Sequence, residues 1–254
     1  MSINFKRITG LGAVNFKTPS ATPTIVTDGL ILNLDASNPS SYPGTGTVWS
    51  DISGNNNNFN IVAGAYNNTG VKYMDFGGNY GIAKNTADIP LSGNTGITYV
   101  VWTRIKNSST DWRTLTRTYS VNADHQVIIE FGGWSIGMYT PNVGFISSGY
   151  SQQSLPNYGT SNWICMYWRF QNTSPYYELS YNDSPEIIRG SITNANAAYT
   201  DGFGSIGGYH NGNITPSNAA QYWGDIAQFL CYDRKLTNSE LLQDYNATKT
   251  RFGL

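Results

Sequence analysis

The side chains able to do chemistry are few. Glu130, Glu178, Glu186 and Glu240 are the only glutamates in 254 residues. Hydrolysis of a glycosidic bond generally needs two carboxyl groups about 5 to 10 Å apart. On a strand such a pair comes from acids at alternate positions, which share a face. No segment has a Glu-x-Asp-x-x-Glu spacing, and Glu178 has no acid two residues to either side. Glu240 follows Thr237 by three residues and reads as a helix cap. His125 and His210 are far apart, with no second ligand at strand or helix spacing, and read as loop hydrogen-bonders. Ser53-Gly54 and Ser205-Ile206-Gly207 lack the strand-turn-helix setting of a nucleophile elbow. Gly202, Gly204, Gly207 and Gly208 border strand patterns and do not open a helix, which argues against a phosphate cradle. The expectation is a chain that is not an enzyme.

Aromatic residues are the remaining signal: 14% of the chain, with 18 tyrosines and 7 tryptophans. Trp49, Trp102, Trp163, Trp168 and Trp223 lie in or beside strand patterns and read as core. Tyr119, Tyr150, Tyr158, Tyr199 and Tyr209 lie among serine, asparagine, glycine and glutamine, and are the candidate ligand-binding residues. Flat rings beside amides suit sugar stacking and protein interfaces equally, so composition leaves both open.

The elements that must position these residues are strands. Charged residues make up 12% of the chain, about half the usual share. Strand patterns run from Gly29 to Asp35, Val71 to Phe76, Ile97 to Ile105, Gln126 to Phe131 and Trp134 to Tyr139. They continue over Val143 to Ser147, Trp163 to Phe170, Gly204 to Tyr209 and Ile226 to Tyr232. Tyr176 to Tyr181 turns at Asn182-Asp183 into a return strand over Glu186 to Arg189. About a dozen strands without helical crossovers imply an all-β, antiparallel two-sheet jelly-roll sandwich. A short helix over residues 237–250 closes it. There Thr237 and Glu240 form a capping box, Leu236 and Leu241 a staple, and Leu241, Leu242 and Tyr245 an inward stripe.

Residues 1–27 stand apart as an extended arm ahead of a domain over residues 28–254. The arm carries Lys6, Arg7 and Lys17, no acid, and Pro19 and Pro23. With Phe5, Ile8 and Phe16 these cations are the candidate anchoring residues. The arm is either a loose tail or a segment ordered against a partner or its own domain. It lacks the apolar stretch of a secretory signal, and no run approaches the ~18 apolar residues of a membrane helix, so neither export by that route nor membrane insertion is expected. A net charge of −1 gives no footprint for nucleic acid. Cys165 and Cys231 sit in apolar runs, and buried thiols are the simpler account beside a disulfide.

Five segments carry a resemblance. GLILNLDAS with Trp49-Ser50-Asp51-Ile52-Ser53-Gly54-Asn55, and Met74-Asp75-Phe76-Gly77-Gly78-Asn79-Tyr80, resemble the opening of laminin-G-like, concanavalin A-like jelly rolls. Tyr222 through Thr237 resembles that family's last strand and turn. The ending from Asp244 to Leu254 is similar to versions found in bacteriophage structural proteins. The resemblance implies calcium in many members, although Asn79 and Ala227 stand where acids are usual. Asp75, Asn79, Asp201 and Asp225 are the residues left to assemble a weak calcium site; no other cofactor is expected. It also implies a non-enzymatic virion structural protein, a capsid decoration, head-fibre or tail-associated subunit. Its partners would be other virion proteins, a host-surface glycan, or further copies of itself. The alternative is a glycan-binding lectin module for adhesion.

Overall fold

The computed structural model describes residues 23–76, 82–89, 96–105, 113–117, 125–129, 135–140, 144–151, 162–193, 203–207 and 224–254. The chain opens with β1 (Leu30–Asp35), β2 (Val48–Trp49), β3 (Phe59–Ala63), β4 (Ala65–Asn67) and β5 (Tyr73–Asp75). Next come β6 (Ile82–Ile89), β7 (Gly96–Ile105), β8 (Arg113–Arg117), β9 (His125–Ile129), β10 (Ser135–Thr140) and β11 (Gly144–Ser151). β12 (Ile164–Gln171), β13 (Tyr177–Tyr181), β14 (Gly190–Ile192), β15 (Phe203–Ile206) and β16 (Gly224–Tyr232) follow. Helix α1 (Asn238–Thr248) and a 3-10 turn over Lys249–Phe252 end the chain.

Among the described residues these strands form two eight-stranded sheets. The first runs β14-β13-β12-β7-β16-β5-β4, with β1 sharing the outer edge of β16 with β5. The second runs β11-β10-β9-β8-β15-β6-β3-β2. The expected all-β antiparallel sandwich is the fold observed.

The first sheet is covered on both faces, and this sets its composition. Along β7, Tyr99 and Val101 join the core between the sheets, with Met166, Phe170 and Phe229 from its own sheet and Leu115 from the other. The intervening Val100 and Trp102 join a second cluster with Tyr167, Leu230, Leu241 and Tyr245, beneath α1. A strand buried on both faces loses the apolar-polar alternation and becomes a near-continuous apolar run. Every residue of β16 and the first seven of β12 are buried accordingly.

Helix α1 begins as its sequence requires. The Thr237 side chain accepts from the Glu240 N–H, and the Glu240 carboxylate accepts from the Thr237 N–H at 2.8 Å. The helix proper ends at Thr248, two residues short of the expected boundary, and the chain tightens into the 3-10 turn. Leu241 and Tyr245 face inward as expected, but Leu242 is exposed and Asp244 takes its place in the buried stripe. Trp102 stacks between Tyr245 and Phe252, with ring centroids 5.7 and 3.8 Å away, and donates its indole N–H to the Thr248 hydroxyl.

Other expectations change with the structure. Asn182 does take the left-handed conformation of a turn, at φ 56°, but residues 186–189 are not the return strand. β14 pairs instead, Tyr177 with Ile192 and Leu179 with Gly190. The arm boundary also moves. Val26 is buried under α1, its N–H donates to the Asp244 carboxylate, and Gln243 donates to the Thr24 carbonyl. Residues 24–27 therefore belong to the domain. Cys165 and Cys231 are both buried free thiols, the first in the cluster under α1 and the second in the core between the sheets.

Candidate functional site

Most residues singled out in the sequence lie outside the described residues: Tyr119, Tyr158, Tyr199 and Tyr209, Asn79 and Asp201, and Phe5, Lys6, Arg7, Ile8, Phe16 and Lys17. Three can be placed. Tyr150 is not in a loop. It lies in β11, 9% exposed and packed against Tyr181, and burial together with Tyr181 holds its hydroxyl in the protonated form. It offers no open ring for stacking.

Asp75 and Asp225 are register partners on β5 and β16, so the sequence reading brought together two acids that do adjoin. Their surroundings do not suit calcium. The Asp225 side chain has no exposure, and its Oδ2 accepts from both Nε and Nη2 of Arg104. The same guanidinium lies over the rings of Tyr73 and Trp163, 4.7 Å from each centroid. A charge-assisted bond inside an aromatic clamp is a strong fixture, and a cation would have to displace it. Among the described residues no group of three or more histidine, cysteine, aspartate or glutamate side chains could hold a metal ion.

Two of the resemblance motifs, around Asp51 and Asp35, resolve into turn architecture. Asp51 accepts from the backbone N–H groups of Asn33, Ser53 and Asn57 and from the Ser53 hydroxyl. Asn55 and Asn57 donate their side-chain amides to the carbonyls of Leu30 and Ile31. The asparagine run thus hydrogen-bonds to β1 where a strand would otherwise pair. Asp35 holds Ser37 and receives Arg251 from the last turn, which ties the two ends of the domain together.

A concave feature lies beside β3 and β4. It is a slot of about 240 Å³. The buried Met74 and Phe76 form its inner wall, Tyr42 and Tyr66 flank it, and Val62, 42% exposed, marks its rim. The two tyrosine rings meet at 4.8 Å, tilted by 56°. Tyr42 donates its hydroxyl to the Gly46 carbonyl at 2.8 Å, and Tyr66 donates to the Ala36 carbonyl at 3.2 Å. Burial raises the pKa of both phenols, and Tyr42 and Asp35 raise that of Tyr66 further, so both stay neutral.

The backbone opens the slot. Gly64 joins β3 to β4 at φ 143°, and a Cβ there would crowd the Asp75 carbonyl at 3.2 Å and the Phe76 ring at 3.4 Å. The loop opposite is pinned where the Ile61 N–H donates to the Thr47 carbonyl. The result is a preformed, uncharged hollow with an apolar wall and two phenols, suited to binding a small group by contact and hydrogen bonding. The sequence reading passed over it. The cue applied elsewhere, an aromatic among small polar residues, also marks Ser41-Tyr42-Pro43-Gly44 and Ala65-Tyr66-Asn67.

No family model and no curated protein matches the chain. Solved structures do match in fold. A Trypanosoma rangeli sialidase in complex with sialic acid superposes with a TM-score of 0.59 at 12% identity, over 88% of this chain and 33% of that one. The binding domain of Paraclostridial Mosquitocidal Protein 1 gives 0.57 at 15% identity, over 87% and 52%. The receptor binding domain of botulinum neurotoxin C/D mosaic serotype gives 0.55 at 17% identity, over 87% and 51%. The chain thus spans about a third of the sialidase and half of each toxin domain. The exclusion of an enzyme, drawn from the sequence, is corrected here, because the fold recurs within sialidase chains. The carboxylate-pair rule on which that exclusion rested does not extend to sialidases. At these identities the likeness is one of fold: an antiparallel β-sandwich found in sialidases and in toxin binding domains.

Proposed function

We propose that this chain is a recognition module, a lectin-like β-sandwich of the laminin-G-like kind that binds a glycan on a host surface. The observation that carries the reading is the preformed slot beside β3 and β4, lined by Tyr42 and Tyr66. Binding and receptor-binding domains of the same fold support it. The test is a glycan array probed with the labelled protein and with Tyr66→Ala. Binding to a defined subset of glycans, lost in the variant, is expected. No binding to any glycan, with the protein folded, ends the reading.

The setting we propose is a bacteriophage virion, where the module is a capsid decoration, head-fibre or tail-associated subunit. The support is the similarity of residues 244–254 to endings of phage structural proteins, together with the carboxylate-free basic arm carrying Lys6, Arg7 and Lys17. Mass spectrometry of purified particles tests it. Absence of the chain from intact particles removes the virion setting and leaves the recognition reading standing.

A further inference from the structure

We infer that the slot lined by Tyr42 and Tyr66 selects a neutral, hydroxyl-bearing sugar with an apolar substituent, and rejects sialic acid. This rests on the glycan-recognition reading and names the class of sugar.

Three features of the slot lead there. First, none of the residues lining it carries a charge. A sialic acid carboxylate moved into such a site sheds water without gaining a cation, and an unpaired buried carboxylate is costly.

Second, the hydrogen-bonding capacity of the phenols is one-sided. Tyr42 spends its proton on the Gly46 carbonyl and Tyr66 on the Ala36 carbonyl. Each phenol oxygen therefore has only lone pairs left to offer. A sugar hydroxyl can donate to them, whereas a carboxylate brings lone pairs of its own. Two acceptors facing each other repel.

Third, the slot offers apolar surface. The apolar surface open to a ligand is that of Val62, 42% exposed, because Met74 and Phe76 are already covered. A polyol with hydroxyls all round would leave some of them unpaired against this surface. A 6-deoxyhexose presents a methyl group there and an N-acetylhexosamine an acetyl methyl, while their remaining hydroxyls reach the phenols. Burying a methyl group contributes about 0.8 kcal/mol.

The experiment is a titration followed by NMR, with full-length protein and three probes: methyl α-L-fucoside, methyl N-acetyl-β-D-glucosaminide and a methyl α-sialoside. At least one neutral probe should bind and perturb signals of Tyr42, Val62 and Tyr66, while the sialoside leaves them unmoved. Tyr66→Phe keeps the ring and removes the acceptor, and should weaken the neutral sugar roughly threefold to tenfold. Tyr66 packs against the core, so a second variant guards against misfolding. Val62→Lys changes an exposed rim position and should let the sialoside perturb the slot signals by supplying the missing cation. Sialoside binding in the slot of the wild-type protein overturns the assignment, as do neutral-sugar perturbations that map elsewhere or a Val62→Lys variant indifferent to the sialoside. Those results leave the recognition reading intact. Failure of every saccharide, on the array and here, overturns both.

Discussion

Glu240 and Asp244 lie one turn apart on α1 and titrate in opposite directions. Arg234 and Thr237 bond the Glu240 carboxylate and hold its pKa near 2. That contribution is present above the ordinary carboxylate range and is lost as the pH falls through about 2. Asp244 is pushed up to about 6, chiefly by burial, with Glu240 adding and Arg234 opposing. Bonds from Val26 and Tyr232 oppose that rise without cancelling it. The Tyr232 hydroxyl lies 2.9 Å from Asp244 Oδ2 and 3.1 Å from the Val26 carbonyl, with one proton for two acceptors. When Asp244 is protonated, it donates to Tyr232 and Tyr232 donates to Val26, so every group is paired. A raised carboxyl pKa stabilises the fold below the ordinary value, and that stabilisation disappears as the pH rises through about 6. The ionised form then costs at most about 3 kcal/mol at pH 7. Asp244→Asn keeps an acceptor for Val26 and gains a donor for Tyr232. Urea unfolding should show the variant equal to wild type at pH 4 and more stable by about 2 kcal/mol at pH 7.5. A variant less stable at pH 7.5 would refute this account. Glu240 was legible in the sequence because capping is a local rule. Asp244 was not, because Leu242 fits an apolar stripe better and only the position of Val26 makes the acid the buried member.

At the level of elements, the legible parts were those whose pattern is local. The strands that became β7, β12 and β16 announce themselves as long β-branched and aromatic runs because both faces are covered. β2 and β4, two or three residues each, carry no period to read and exist through pairing with the strands that follow them, β3 and β5, whereas β5 itself lies within the strand pattern over Val71 to Phe76. The return strand after Asn182 was misplaced for a related reason. Ile187 and Ile188 look like strand residues, yet they are exposed in the turn, and the strand begins at Gly190. The slot was hidden because Tyr42 and Tyr66 are 24 residues apart and meet only once β4 pairs with β5. The cap itself gives a test. Thr237 accepts one backbone N–H and positions Glu240, so Thr237→Ala should cost about 1 kcal/mol, read as a lower urea midpoint with unchanged slope. A loss below about 0.2 kcal/mol would mean that packing alone starts the helix. Truncation before Asn238 is expected to be far more severe. It uncovers Trp102, Tyr167 and Leu230, a wall of apolar side chains on the outer face of the first sheet, and should yield aggregated protein. A monodisperse truncated protein in size-exclusion chromatography would contradict the two-faced reading of that sheet.

For the whole molecule the question is where the domain begins, because that decides what the amino-terminal segment is free to do. The contacts made by the first described residues start at the Thr24 carbonyl, which accepts from Gln243, and continue at Val26, which is 7% exposed and bonded to Asp244. Arg234 then reaches Asp28, and its side chain also pairs with Glu240, so this stretch is tied to the same helix turn by three separate links. Residues 24–28 thus act as a strap across α1. Removing residues 1–22 leaves each of these contacts in place. Removing residues 1–27 exposes the apolar surface under Val26 and takes away the N–H that the Asp244 carboxylate accepts. Loss of a buried valine contributes about 1.5 kcal/mol or more, and an orphaned buried carboxylate adds to it. For a domain of this size 1 kcal/mol corresponds to about 2 to 4 °C in Tm. The shorter truncation should therefore melt within about 2 °C of the full chain, and the longer one at least about 5 °C lower. If the arm anchors the module to a particle, the shorter truncation also separates folding from assembly. It should remain folded and bind its glycan, yet be missing from particles built in its presence. Incorporation at wild-type occupancy would place the anchoring surface on the sandwich itself, and a large loss of Tm on removing residues 1–22 would show the arm to be part of the fold.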